Sequence, residues 1–488
     1  MDATLGCEYQ LERKQRVKPD KDVEEERLRV RQCTHAHARL PCVHEARMKR
    51  RRKGFVARAI GVVACALPLA VLAKAPLHVD ADRLQAHIAG LSQFGANPEG
   101  GVSRVAFSEA DIAGRAYVVQ LMRDAGLTVR VDTAGNIIGR REGRDPKLPA
   151  ILLGSHTDSV PSGGNYDGDV GVLGAIEVAQ RLQEGGVRLR HRLEVVNFTD
   201  EEGGLVGSLA MTGRIRPGTL DVVSQSGKTV REGIRAVGGD PDRLSEAQRR
   251  PDELLAYVEL HIEQGGILDA SRTDIGVVEG IVGIRWWDVT VTGFANHAGT
   301  TPMDQRRDAL VSAAQLVLAA NEVAKSMPGR HVATVGRIRA EPGAPNVIPG
   351  RVVMSLEIRD LDAAKMQQVF DAIRARADEI ARSQSIPIEF DELEVGLEPA
   401  PTDERMREII THAADSLGLS TRLMPSGAGH DAQDMAHIVP TGMIFVPSVG
   451  GISHSPKEYT APKDVANGAD VLLQTVIAVD EGALERGK

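Results

Sequence analysis

Residues 150–174 read A-I-L-L-G-S-H-T-D-S-V-P-S-G-G-N-Y-D-G-D-V-G-V-L-G, and few folds accommodate such a stretch. Four consecutive apolar residues, 150–153, have no polar face, so the strand they predict must be covered on both sides. Glycines and Pro161 then predict a turn, after which residues 170–182 carry apolar side chains at helical spacing. A doubly covered strand running into a helix is a unit of an α/β sheet, where function collects beyond the carboxyl ends of the strands. His156 and Asp158 fall just past the predicted strand, and Asp167 just before the helix. On these residues alone, a structural role for His156 is as good a reading as metal binding.

The pattern recurs along the chain. Residues 193–198 predict another buried strand, ending in Thr199-Asp200-Glu201-Glu202-Gly203. Adjacent carboxylates in a loop are ordinarily solvated surface, but this pair follows a buried strand and precedes glycines. Residues 254–265, L-L-A-Y-V-E-L-H-I-E-Q-G, supply His261, Glu263 and Gln264. Upstream, residues 78–120 predict helix with a start signal at Ser108-Glu109-Ala110-Asp111, and residues 127–139 alternate toward a strand. From residue 284 the texture changes: strand 286–292, helix 308–324, strands 332–338 and 352–358, helix 363–381 and strand 386–392. That β-α-β-β-α-β order predicts a ferredoxin-like unit inserted in the α/β body. The body resumes after Glu398-Pro399-Ala400-Pro401 with a helix over 402–417, a strand near 443–446 and a closing helix from Pro462. The division expected is a catalytic domain in two parts, 76–283 and 399–488, around an inserted lid or dimerisation domain, 284–398.

Charge and cysteine use narrow the function. Residues 1–75 carry 17 Lys and Arg against 9 Asp and Glu, which leaves 42 against 58 in the rest, a net of −16. An acidic body argues against a nucleic-acid partner. All four cysteines, Cys7, Cys33, Cys42 and Cys65, precede Ala75. A metal in the body would therefore be held by His and carboxylate, without thiolate. Residues 48–75 join a basic run, an apolar run and Ala73-Lys74-Ala75, the pattern of a secretory signal peptide with Met48 as the true start. Residues 1–47 then read as a non-native or disordered leader. A periplasmic or secreted mature protein, with no membrane part, follows; the competing readings are an anchor retained at 56–72 and, if the segment is not used, a cytoplasmic enzyme.

Collected, the strand-end residues are His156, Asp167, Glu201, Glu202 and His261, joined by His454 in G-G-I-S-H-S-P-K-E. Three histidines and three carboxylates match the ligand chemistry of a two-metal hydrolytic site. With the flanking pieces the resemblance becomes specific: G-S-H-T-D-S-V, G-G-N-Y-D-G, T-D-E-E-G, E-L-H-I-E-Q-G, N-H-A-G-T-T-P-M, P-N-V-I-P-G followed by L-E-I-R-D, S-G-A-G-H-D-A, and G-G-I-S-H-S-P-K-E. In that order, from about residue 80 to 480, the chain resembles the amidohydrolase branch of the M20 metallopeptidase superfamily. That branch contains N-carbamoyl-L-amino acid hydrolases, β-ureidopropionases and allantoate or ureidoglycolate amidohydrolases.

The resemblance implies a zinc-peptidase-like catalytic domain with a mixed sheet flanked by helices. It also implies two divalent metal ions, zinc first, with Mn²⁺, Co²⁺ or Ni²⁺ also accepted by such sites. His156 and His261 would hold one metal, Glu202 and His454 the other, with Asp167 bridging. Glu201 would be the general base, and Asp158 would accept the second imidazole N–H of His156. His297 would meet the oxyanion, while Asn346 and Arg359, contributed across a homodimer, would hold the substrate carboxylate and Gln264 would line the pocket. His430-Asp431 lies near the site without an assigned role, and Arg306, Arg307 and Asp308 brace or cap a helix. The implied reaction is hydrolysis of a carbamoyl or ureido C–N bond on a small carboxylate substrate, first an N-carbamoyl-L-amino acid. The alternatives are allantoate or ureidoglycolate, then aminoacylase or dipeptidase activity, and, from another class, a silent metal- or amino-acid-binding protein. One departure stands out: many relatives follow Glu-Glu-Gly with a residue and then Arg-Phe, whereas here Gly204-Leu205-Val206 follows.

Overall fold

The computed structural model describes residues 77–393 and 396–485; the leader and signal-peptide readings fall on residues outside these. Strand Ala150–His156 is buried along its whole length, in parallel pairing with Leu193–Phe198 on one side and Leu254–Ile262 on the other. The same sheet continues outward through Ile137–Arg141 to Thr128–Val131, and on the other side through Thr441–Val446 to Ile275–Ile281, which also pairs Thr421–Ser426 and Ala400–Pro401. Ile151 and Leu153 pack with helices Ala81–Leu91, Asp169–Glu184, Glu404–Ser416 and Pro462–Asp480. Ala150 and Leu152 point the other way, among Met211, Leu268, Met435 and Phe445. Both faces are thus dry, which is why the strand shows no alternation. The parallel strands end together, so His156, the Glu201-Glu202 turn, His261 and the loop after Val446 share one edge.

Gly154 lies within that central strand at φ +151°, and a Cβ there would stand 1.9 Å from the Val196 carbonyl oxygen. Gly154→Ala should therefore destabilise the fold by about 1–3 kcal/mol, the cost of overpacking a core. A urea midpoint unchanged from the parent would contradict this.

A second, five-stranded antiparallel sheet runs Ile338–Glu341, Arg351–Asp360, Gly283–Thr292, Ile388–Glu392, with Val332–Thr334 also on Arg351–Asp360. Helices Ala309–Ser326 and Ala363–Gln384 cover one face over a core of its own around Trp287, Val289, Met354 and Ile373. Counting Val332–Thr334 and Ile338–Glu341 as one interrupted strand, this is the ferredoxin-like order 2-3-1-4. The chain is therefore an α/β body carrying an inserted α+β unit. Chain entry and exit for the unit lie side by side, since Ile281 pairs with Ala400 and Ile284 with Leu397.

Some elements differ from expectation. Residues 78–120 form two helices, Ala81–Leu91 and Glu109–Asp124, because Gly95, Gly100 and Gly101 take positive φ between them and Pro98 cannot continue a helix. Ser108 caps the second helix as predicted. His156 closes its strand rather than following it. Strand Thr421–Ser426 was not foreseen, because Arg422 and Pro425 interrupt any apolar run. No helix among the described residues is long and apolar enough to cross a membrane.

Candidate metal centre

His156 and His261 sit at the carboxyl ends of neighbouring parallel strands, fully buried, with ring centroids 5.9 Å apart. Each Nδ1 faces a backbone carbonyl: Asp158 O at 3.0 Å for His156, Ile262 O at 2.9 Å for His261. That pattern assigns the proton to Nδ1 and a lone pair to Nε2. Both Nε2 atoms approach Asp167 Oδ1, at 3.8 Å and 3.2 Å. Asp167 comes from the turn before helix Asp169–Glu184. Gly168 beside it has φ +66°, and a Cβ there would enter the His156 ring at 2.5 Å. His454 Nε2 lies 3.2 Å from the other oxygen, Asp167 Oδ2, and 3.4 Å from Glu202 Oε1. Two groups of donors able to hold a metal therefore share Asp167: His156, Asp167 and His261, and Asp167, Glu202 and His454, each with ligand atoms within 4.8 Å of one another.

The chemistry of this donor set fits divalent cations. Burial would lower the His261 pKa, but the Asp167 contact overrides it and raises the ring to about 9, calling for a proton on Nε2. The Gly168 N–H, directed at the same nitrogen at 3.2 Å, calls for a lone pair there. A cation between ring and carboxylate would supply the positive charge that Asp167 calls for while taking the Nε2 lone pair. Glu202 Oε1 is buried without a hydrogen-bond partner. Burial and the Asp167 charge push Glu202 up to about 8, and burial with Glu202, Asp431, Asp158 and Asp167 holds Glu201 well above the ordinary carboxylate range. So many buried carboxylates ionise together only with compensating positive charge.

Glu201 Oε2 stands 3.7 Å from His156 Nε2, at the mouth of the first donor group but outside both sets. Its backbone and that of Glu202 are fixed by Asp158, whose carboxylate accepts both N–H groups at 3.3 Å and 3.1 Å. This corrects the expected role of Asp158. Its carboxylate stays 3.9 Å from His156 Nδ1, and its backbone carbonyl orients the ring instead. Gln264 reaches the centre, donating from Nε2 to Asp167 Oδ2 at 2.7 Å.

The inserted unit carries the remaining residues. His297 is exposed on a two-stranded ribbon, Asn296–His297 with Val347–Ile348, and its Nδ1 accepts from Gly299 N and Thr300 N at 2.9 Å and 3.2 Å. The ring proton is therefore on Nε2, an outward-facing donor suited to a developing oxyanion. Asn346 is its neighbour on the ribbon, accepting from Ala298 N at 3.0 Å, while Arg306 braces the turn through the Ala298 and Thr301 carbonyls. The hydrogen bonds of His297 and Asn346 run within the ribbon and its turn. Arg359 instead reaches the body of its own chain: Nη1 donates to Gly427 O at 2.7 Å, and Nε to Glu357 at 2.8 Å.

Sequence reading passed over three supports. Glu259, two residues before His261 on the same strand face, accepts from Ser155, Tyr257 and Ala432 N. Glu259, His261 and His430 also form a cluster geometrically able to hold a metal, but the Glu259 oxygens are already satisfied, so it reads as support. The His430 ring lies edge-on 4.4 Å from His261, and its Nε2 is 2.7 Å from Ser426 Oγ. Glu458, within the quoted G-G-I-S-H-S-P-K-E, and the buried Arg104–Asp169 pair are the others.

The family model described as Peptidase family M20/M25/M40 matches residues 152–478. The chain is similar to N-carbamoyl-L-amino acid amidohydrolase of Geobacillus stearothermophilus, 42% identical over 409 residues that cover 83% of this chain and 100% of that one. It is 37% identical to allantoate amidohydrolase of Escherichia coli (strain K12) over 394 residues, 78% of this chain and 94% of that one. Among solved structures, an amidase of the hydantoinase/carbamoylase family from Burkholderia multivorans superposes with a TM-score of 0.76 at 38% identity, covering 82% of this chain and 98% of that one.

Proposed function

The chain belongs to peptidase family M20/M25/M40, and from that premise we propose that it is a binuclear metal-dependent amidohydrolase acting on N-carbamoyl-L-amino acids. It is an amidohydrolase, a hydrolase of C–N bonds. The observation that carries the two-metal reading is the split face of Asp167, one oxygen toward His156 and His261, the other toward His454. An all-nitrogen-and-oxygen set with three imidazoles favours zinc over magnesium or calcium. Two such ions, when bound, supply the Lewis acidity that activates water and polarises the scissile carbonyl.

The chain's own residues do the rest. Glu201 takes the proton of the attacking water and returns it to the leaving nitrogen, from a carboxylate 3.7 Å from His156 Nε2 that belongs to neither donor group. His297 donates from Nε2 to the oxyanion, and Asn346 and Arg359 hold the substrate carboxylate, with Gln264 lining the pocket. His297 and Asn346 are exposed and hydrogen-bonded within their own ribbon, which supports delivery to a second copy of the chain. The inserted unit, 284–398, offers it a docking edge, with Val332 and Ile338 on outer strands and Leu318 on the adjoining helix all about half exposed or more. Residues 76–283 and 399–488 act as the catalytic domain, and the basic-then-apolar run before residue 76 supports export. The second reading is an allantoate amidohydrolase, supported by the similarity to that enzyme.

The reading is tested by ammonia release from zinc-reconstituted protein over N-carbamoyl-L-amino acids, allantoate, N-acetyl-amino acids and dipeptides, with amino acid release followed in parallel. Ammonia from N-carbamoyl substrates, matched by free amino acid, is the expected result. Ammonia from allantoate alone selects the second reading, and amino acid without ammonia moves the enzyme to the acylase or peptidase side.

A further inference from the structure

The two donor groups around Asp167 are built differently. His156 and His261 are strand-borne, buried, and locked through Nδ1 by backbone carbonyls. His454 sits on a loop at φ +51°, about half exposed, and Asp167 sits on a turn. One buried carboxylate ties these two loops together. Glu458 Oε1 accepts from Tyr166 N at 2.9 Å and Asp167 N at 3.1 Å; Oε2 accepts from Ser453 Oγ at 2.7 Å and His454 N at 3.3 Å. These four donors come from the two ligand-bearing loops, almost 300 residues apart in sequence. The Ser453 hydroxyl is also 3.1 Å from Asp167 Oδ2, so the loops meet at the bridging ligand itself. Gly164 makes room for this arrangement, since a Cβ there would stand 2.0 Å from Glu458 Oε1.

We propose that Glu458 is a positioning residue that assembles the Asp167–Glu202–His454 half of the centre by holding the His454 loop against the Asp167 turn. The inference rests on the two-metal reading above. Glu458 belongs to none of the donor groups; without it the His454 loop loses its tie, whereas Asp167 keeps its contacts with Gln264 and His261, so the loss falls mainly on the Asp167–Glu202–His454 half. Replacing an outer group that orients metal ligands typically weakens metal affinity about 10–100-fold.

The test is calorimetric titration of metal-free protein with Zn²⁺, with metal content after dialysis and the melting temperature of each metal-free variant as controls. The parent should bind two equivalents. Glu458→Ala should keep one at parental affinity and weaken the other about 10–100-fold. Glu458→Gln, whose amide keeps one accepting oxygen but cannot accept from His454 N, should fall between and serves alone if the alanine variant does not fold. Two equivalents at parental affinity in the variants would overturn the proposal, as would equal weakening of both, which marks a general structural role. Fewer than two equivalents in the parent would bring down the two-metal reading and this inference with it.

Discussion

Glu201→Gln should cut turnover by about 10²–10⁴-fold while leaving the metal content of the purified protein at the parental level. The amide is nearly isosteric with the carboxyl and cannot take up a proton. The bond to the Asp158 carboxylate uses only the backbone N–H of Glu201 and survives the change, so the Glu202 turn keeps its place. Because Glu201 lies outside both donor groups, zinc binding should not follow the loss of activity. Metal content and steady-state kinetics on the same preparation decide it. Loss of metal would make Glu201 a ligand, and retained turnover would remove it as the base.

The second large effect concerns stability. Arg104 is 1% exposed, and its Nη2 reaches both Asp169 oxygens, at 2.8 Å and 2.6 Å. The same guanidinium donates to the carbonyls of Thr157, Leu91 and Phe94. Arg104→Leu leaves Asp169 buried without its counter-charge and three carbonyls without a donor, and should cost about 3–5 kcal/mol. Arg104→Leu combined with Asp169→Leu should recover part of that loss, since the uncompensated charge is gone while the carbonyls remain unsatisfied. Urea unfolding of the metal-free proteins measures both. A double variant no more stable than Arg104→Leu alone would show that the carbonyl contacts, rather than the ion pair, carry the energy. Thr157 follows His156 and Asp169 lies two residues past Asp167, so the lesion also reaches the candidate metal centre.

The residues that gather at the candidate metal centre were legible in the chain because they obey a local rule. His156, the Glu201-Glu202 pair and His261 each stand at or just beyond the end of an apolar run, and a buried parallel strand needs no partner information to be recognised. The ferredoxin-like insertion was legible for the same reason, through its alternating strands and amphipathic helices. What supports the ligands was not. Arg104 lies in an irregular segment with no periodicity, and its partner Asp169 is 65 residues away. Glu458 was visible as a letter in a motif, but that it bonds Tyr166 N and Asp167 N depends on how the chain closes on itself. The role of Asp158 was misassigned between side chain and backbone, a distinction that depends on the turn at 157–160 and not on residue type. Strand Thr421–Ser426 escaped because it is an outer strand of mixed composition, held by its pairing with Ile275–Ile281.

The path of the chain also sets the order in which the molecule can be made. Strand Thr441–Val446 lies between Leu254–Ile262 and Ile275–Ile281, yet it leaves the ribosome only after the entire inserted unit. The inserted unit, with its ends already side by side and a core of its own, can fold while the body's sheet is still open at its middle. Until the last strand arrives, the Leu254–Ile262 edge is an unpaired apolar template and a site for mispairing during synthesis. His454 and Glu458 emerge later still, so a nascent chain holds His156, Asp167 and His261 but not the second half of the centre. Completion of the chain is then the step that brings His454 and Glu458 to the residues already gathered around Asp167.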